Sequence, residues 1–322
     1  MSDPRDTSTF RNPPWMSLGT PVSVAAWAAR TLGFGVPFVR TLATKMLAPD
    51  QYRAIFANYE PLPEDVFVAV FSKSGTNWAM QMAAQIAWRG QAEFAHVHEY
   101  VAWPGSPFTG VVPLTDPGWR AAPEPRHIIK CSAPLEVLPV DSPARFLCVL
   151  RDPKEVVVSA YHFIMDSFGL REAVSAASWI DFAIEGLLLD AWVSHAAQVW
   201  DARDRDNVHV LRFESLKQDL GGELDEVSAF LGVQLTRGER AAVLERCGFA
   251  WMKDHEYRFG PPILRFLGGR PAGKMLRKGA SGGSGELLSR QEQDRIDALA
   301  LEKLDALGSD LPYRDWYVSP PT

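Results

Sequence analysis

Cysteine is scarce in this chain: Cys131, Cys148 and Cys247 are the only three in 322 residues. Their number and scatter exclude a disulfide framework or a cysteine-based metal centre. Two lie in apolar, strand-like runs, so buried free thiols and a reducing, cytoplasmic setting are expected, with no metal. A basic surplus is missing too. The net charge of −6 and a pI near 5.7 argue against nucleic acid as a partner, because a phosphate backbone demands an excess of Lys and Arg. Nor is there a long unbroken apolar run. The stretch Asn12–Ala29 is uncharged but holds Pro13, Pro14 and Pro21, and Arg30, Arg40 and Lys45 interrupt the apolar residues beyond it, so no transmembrane segment is expected. Residues 1–14 are polar and lack a secretory pattern.

What is present describes an ordinary globular protein, 47% hydrophobic and 22% charged. Its length suits a single α/β domain over residues 1–322, with residues 1–60 as an N-terminal helical extension packing on it. Within 15–48, Val22, Ala25, Ala26, Ala29 and Leu32 fall on one helical face, with Arg30 off it. That face either covers the core or a substrate pocket, or makes a weak membrane contact.

The most informative segment runs from Val66 to Trp88. Six apolar residues, Val66–Phe71, read as a strand buried on both faces of a parallel sheet. The polar turn Ser72-Lys73-Ser74-Gly75-Thr76-Asn77 comes next, and a helix begins near Trp78. Strand, small-residue turn and helix start place free amides and a positive dipole end at one point, and Lys73 adds a full charge: an anion site. The lysine precedes the only glycine of the turn, the reverse of a Walker A ending, which counts against a small-molecule kinase. Further buried strands are expected at His127–Cys131, Arg145–Leu150 and Val208–Phe213, separated by helices at 153–166, 178–203 and 220–231. The fold class is therefore α/β, a mostly parallel central sheet with helices on both faces. Residues 254–289 hold eight glycines and read as a long loop, and Gln291–Leu307 as a closing helix.

A second anion site lies just after Leu150, in Arg151-Asp152-Pro153-Lys154-Glu155 with Ser159 and Tyr161-His162-Phe163 beyond. Asp152 is a good N-cap and Pro153 a good first helical residue. Arg151 at the strand end has the planar fork that suits phosphate.

These two turns together resemble the PAPS-dependent sulfotransferases, whose 5′-phosphosulfate loop is usually Pro-Lys-Ser-Gly-Thr-Thr-Trp and whose 3′-phosphate motif is Arg-Asn-Pro-Lys-Asp with Ser and His-Phe beyond it. Ser72 stands where that family usually has proline, and Asn77 replaces its second threonine. The resemblance covers roughly residues 60–285 and implies a P-loop-like sulfotransferase fold, PAPS as donor and PAP as product. By it, Lys73, Ser74, Gly75, Thr76, Asn77 and Trp78 hold the phosphosulfate and adenine, and Arg151 and Ser159 hold the 3′-phosphate. Weaker matches add Phe213 near the nucleotide, Phe249 and Met252 flanking the adenine, and Arg277, Lys278 and Gly279 in a loop closing over the 3′-phosphate. For Phe213, Phe249 and Met252, plain core packing is the competing expectation.

The resemblance assigns catalysis to Lys73, Lys130 and Ser159. It breaks at the general base: the family's Lys-Thr-His-x-Pro is here Lys130-Cys131-Ser132-Ala133-Pro134. A serine hydroxyl does not take the acceptor's proton near neutral pH, and a positioned base is worth about 10²–10⁴ in rate. His98, in Phe94-Ala95-His96-Val97-His98-Glu99-Tyr100, is the candidate replacement; an acidic phenol needing little help, or a PAPS/PAP-binding protein without turnover, are the alternatives. His127 lies on the opposite strand face from Lys130 and Ser132, and His195 is expected to be structural. The partner expected is a small, largely apolar hydroxyl-bearing acceptor, a phenol or an alcohol; a homodimer stays open.

Overall fold

The computed structural model describes residues 19–46, 50–104, 106, 111–260, 276 and 282–318. Four strands, β1 (Asp65–Val70), β2 (His127–Cys131), β3 (Arg145–Leu150) and β4 (Val208–Arg212), form a sheet in the order β2-β1-β3-β4. Every pairing is parallel, with Phe67 opposite Ile129 in β2 and Phe146 in β3. The α-helices are α1 (Gly19–Thr31), α2 (Gly35–Met46), α3 (Asp50–Phe56), α4 (Thr76–Ala87), α5 (Pro153–Phe168), α6 (Ala176–Glu185) and α7 (Leu187–Asp201). They continue with α8 (Phe213–Gln218), α9 (Leu220–Phe230), α10 (Arg237–Cys247), α11 (Phe249–Asp254), α12 (Arg290–Ala306) and α13 (Tyr313–Tyr317).

The unalternating strand pattern is explained by two cores, one on each sheet face. Val66, Val68 and Val70 join α4, α9 and α10 residues such as Ile86, Val227 and Val243. Phe67, Ala69 and Phe71 join α5, α6 and α7 residues such as Val157, Trp179 and Trp192. Phe67 stacks on Phe146 with centroids 4.9 Å apart and meets Phe56 of α3 edge-on. Val39 of α2 and Tyr52 of α3 lie in the same core. All three cysteines are free and buried.

Three local expectations change. The helix expected over 178–203 is two helices parted at Gly186, where a Cβ would stand 2.3 Å from the Phe182 carbonyl oxygen. The last strand stops at Arg212, and Phe213 opens α8. On α1, Ala26 and Ala29 are buried as the periodicity asks, but Ala25 and Leu32 are exposed. Leu32 leaves that face because α1 ends at Thr31 and Gly33 turns the chain at φ 78°.

The C-terminal helices are fastened under the start of α5. The buried Lys154 ammonium bonds to Asp297 of α12 and, at 2.8 Å, to the Tyr317 carbonyl, while the Tyr313 hydroxyl donates to Asp297 at 2.7 Å. Removing that hydroxyl leaves a buried carboxylate short of one donor. Tyr313→Phe should therefore lower the unfolding free energy by about 1–3 kcal/mol in denaturant titration; an unchanged midpoint and slope would show that the network contributes nothing.

Candidate active site

From β1 the chain goes to β2 on one side, and β3 then takes the other side of β1. The carboxyl ends of β1 and β3 thus border a topological switch point, where open α/β sheets bind ligands. Both turns singled out as candidate anion sites lie there.

The first turn reverses sharply. Lys73 has φ 68° and Gly75 φ 112°, and the Ser74 amide bonds back to the Phe71 carbonyl at 3.0 Å. A left-handed lysine costs about 1–2 kcal/mol against the ordinary conformation. Glycine at 75 is required twice over, by its φ and by Phe213, whose ring would meet a Cβ at 3.1 Å. Thr76 then opens α4, whose first amides have no intrahelical acceptor.

The second turn is tied to the first. Arg151 donates from Nη1 to the Lys73 carbonyl at 2.8 Å and from Nη2 to Glu155 at 2.9 Å, with its guanidinium 4.2 Å from the Phe213 ring centroid. Asp152 caps α5 by accepting from the Lys154 amide at 2.8 Å, and Pro153 takes the first helical position. Glu155 also accepts from the Gly283 amide at 2.6 Å, which brings Gly283 to the same point.

Two buried polar atoms in these turns have no partner among the described residues: Ser74 Oγ and Arg151 Nε. Orphaned buried groups cost about 1–3 kcal/mol each, and a ligand accepting from them would remove that cost. Both are donors beside a helix start and two cations, so an anion carrying two phosphate-like ends fits the residues present.

Two lysines share the neighbourhood. Lys73 Nζ sits 4.1 Å from the Phe163 ring centroid and Lys130 Nζ 3.3 Å from that of Trp103. Each residue keeps part of its surface open, yet both ammonium ends lie against aromatic rings in place of water. Burial, reinforced by Arg151, brings Lys73 down to about 7. Burial, reinforced by Lys73 itself, brings Lys130 to about 7 as well. Ser159 lies four residues before Phe163, on the same face of α5.

The segment around His98 reaches this cluster through Trp103, on which the His98 ring stacks at 5.1 Å. His98 Nδ1 faces the Val101 carbonyl at 3.0 Å. A carbonyl only accepts, so Nδ1 carries the proton and Nε2 keeps its lone pair. Burial, with Lys130 and His96 adding repulsion, holds His98 well below its usual pKa. His96 is spent otherwise: it bonds through Nε2 to the Gly260 carbonyl at 2.8 Å and accepts the His98 amide at Nδ1. Glu99 is exposed and accepts the Ala95 amide. His127 bonds Asp65 at 2.9 Å at the far end of the strands, and His195 is buried against Phe71.

The remaining candidates divide. Trp78 donates to the Cys247 carbonyl at 2.9 Å and meets Phe213 edge-on, and Asn77 donates to the Phe259 carbonyl at 3.3 Å. Met252 is packed in the core beside α4, whereas Phe249 is exposed. Arg277, Lys278 and Gly279 lie outside the described residues. Trp103 and Tyr52 escaped sequence reasoning. Tyr52, its pKa pushed up to about 12 mainly by burial, holds its phenol within hydrogen-bonding reach of the Trp103 side chain and the Ser132 backbone. Neither lies in a motif, and their proximity arises only on folding.

A family model described as the sulfotransferase domain matches residues 63–308. Sulfotransferase 1C2 of Oryctolagus cuniculus is 24% identical over 263 residues, covering 79% of this chain and 87% of that protein. Sulfotransferase 2A1 of Homo sapiens is 26% identical over 255 residues, covering 77% and 86%. Among solved structures, retinol dehydratase in complex with androsterone and inactive cofactor PAP superposes with a TM-score of 0.62 at 19% identity, covering 79% of this chain and 84% of that one. Mouse sulfotransferase SULT7A1 complexed with PAP gives 0.58 at 19% identity, covering 81% and 91%. At those identities the structural likeness is one of fold.

Proposed function

This chain belongs to the sulfotransferase family, PAPS-dependent transferases, and we propose that it moves the sulfuryl group to the hydroxyl of a small, largely apolar phenol or alcohol. The observation that carries this reading is the pairing of two anion turns at one sheet edge, joined by the bond from Arg151 to the Lys73 carbonyl. Bound PAPS supplies the sulfuryl group on a 5′-phosphosulfate and carries a 3′-phosphate as a second handle. The amides of Gly75–Asn77 and the Ser74 hydroxyl hold the first anion, and Arg151 with Ser159 the second. Trp78 and Phe249 offer aromatic surface to the base. Lys73 would stand at the leaving phosphate of the bound donor, where its charge would offset the negative charge that grows as the sulfuryl group departs. Lys130 adds a second cation, and His98 Nε2 takes the acceptor's proton. Ser132, where the family has histidine, supports a second reading: a protein that holds PAPS or PAP without turnover.

The 3′-phosphate separates PAP from AMP and ATP. Calorimetry should give PAP a dissociation constant on the order of micromolar or tighter and ATP a much weaker one. Arg151→Ala should lose roughly ten- to hundredfold in PAP affinity and far less in AMP affinity, since a charged hydrogen bond is worth about 1.5–3 kcal/mol. Equal affinities for PAP and AMP in the parent chain would remove the case for a 3′-phosphate site.

Binding should also take up protons. Burial brings the pKa of Lys73 and of Lys130 to about 7, so part of each is neutral at pH 7–8. A bound anion favours the charged form and raises both values, so PAP affinity should fall as pH rises above about 7, by up to tenfold per unit for each proton taken up. Calorimetry in buffers of different ionisation enthalpy reads the uptake directly; no uptake at pH 8 would mean that neither lysine faces the anion.

A further inference from the structure

We propose that α1 and the turn into α2 form a docking face for an anionic lipid bilayer, with α1 lying along the surface. Val24, Trp27, Leu32 and Phe34 are 42%, 49%, 66% and 58% exposed, and they fall within eleven residues. Scattered apolar side chains on a surface need no explanation, but four large exposed ones this close along the chain do. Val24 and Trp27 lie one turn apart on α1, and Leu32 and Phe34 flank Gly33, where the chain turns at φ 78°.

Charge selects the occupant. Residues 15–48 contain Arg30, Arg40 and Lys45 and not one Asp or Glu, in a chain of net charge −6. Arg30 and Arg40 are exposed. An apolar strip with a cationic margin suits a negative membrane surface, which rewards both features. A second copy meeting the same face across a two-fold axis would set like charges against each other. At 13 residues α1 is about 20 Å long. None of the described helices is long and apolar enough to cross a membrane, which leaves the surface-lying mode. Trp27 suits the headgroup level, where indoles collect.

The face leads toward the site. Phe38 of α2 packs edge-on against Phe168 at the end of α5, five residues beyond Phe163, the ring beneath Lys73. A lipid-partitioned acceptor would have a short way in; that consequence rests on the sulfotransferase reading above, whereas the docking itself does not.

The test is co-sedimentation of the full chain with vesicles of phosphatidylcholine alone and of phosphatidylcholine with phosphatidylglycerol. The chain should pellet with the anionic vesicles, less so at high salt. Trp27→Glu/Leu32→Glu/Phe34→Glu should weaken that binding about tenfold or more, with turnover of a water-soluble phenol unchanged. Arg30→Ala/Arg40→Ala should weaken binding to the anionic vesicles only. If the triple variant unfolds, Trp27→Ser/Leu32→Ser makes the same comparison. No binding at low salt, or binding that the folded variants leave intact, overturns the proposal. So does a dimer in sedimentation equilibrium that the triple variant splits, since the face would then be covered by a second copy. Loss of phenol turnover in the parent chain would instead count against the catalytic reading and leave the docking result standing.

Discussion

Lys73→Met should fold like the parent and lose sulfuryl transfer by about 10²–10³-fold or more, the usual worth of one preorganised donor at a developing oxyanion. The expectation rests on where the side chain stands. Lys73 occupies a left-handed backbone position at the mouth of the first turn, with its ammonium over Phe163 and its carbonyl held by Arg151. Methionine keeps the length and the apolar contact with Phe163 while removing the charge, so a fall in rate isolates electrostatics. Because burial already holds the ammonium near 7, stability should not fall. Full activity in a folded Lys73→Met protein would show that the charge acts elsewhere.

His98→Ala should lower transfer to an alkyl alcohol by about 10²-fold or more, and Ser132→Ala should change it little. The hydrogen bond to Val101 leaves Nε2 of His98 unprotonated, and burial beside Lys130 keeps the ring neutral. The acid limb of the rate profile should accordingly lie well below pH 6.5, because a base with a depressed pKa stays active as pH falls. An acidic phenol loses its proton unaided, so the His98→Ala loss should be smaller there. Ser132→His should raise alcohol turnover more than phenol turnover if proton removal is limiting. Changes below about threefold in all three variants would mean that no side chain at these positions serves as base.

How far the sequence sufficed differs between the two turns and the base. The Lys73–Trp78 and Arg151–Ser159 segments were legible because each is a local strand-to-helix turn, and local chemistry fixes such turns: a glycine that needs positive φ, an Asp-Pro cap, an arginine at a strand end. The sheet was equally legible, since the unbroken apolar run Val66–Phe71, five of whose residues lie in β1, has the pattern of a strand covered on both faces. Gly186 was not, because its role depends on the Phe182 carbonyl one turn away and breaks a helix whose apolar periodicity runs on. The surroundings of Ser132 were hidden for a related reason. Tyr52, Trp103 and His98 are far from residue 132 in sequence and meet it or Lys130 only once α3 and β2 have packed. Leu32 misled because its periodicity is real, but the helix that would carry it inward stops one residue before.

The most direct test is transfer itself. The chain would be incubated with PAPS carrying radiolabelled sulfate and a mixed set of phenols and alcohols. Label should pass to an organic acceptor with one PAP released for each transfer, and Lys73→Met should abolish both. PAP binding at micromolar concentration with no label leaving PAPS, for any acceptor, would contradict sulfuryl transfer and make the chain a nucleotide-binding member of its family.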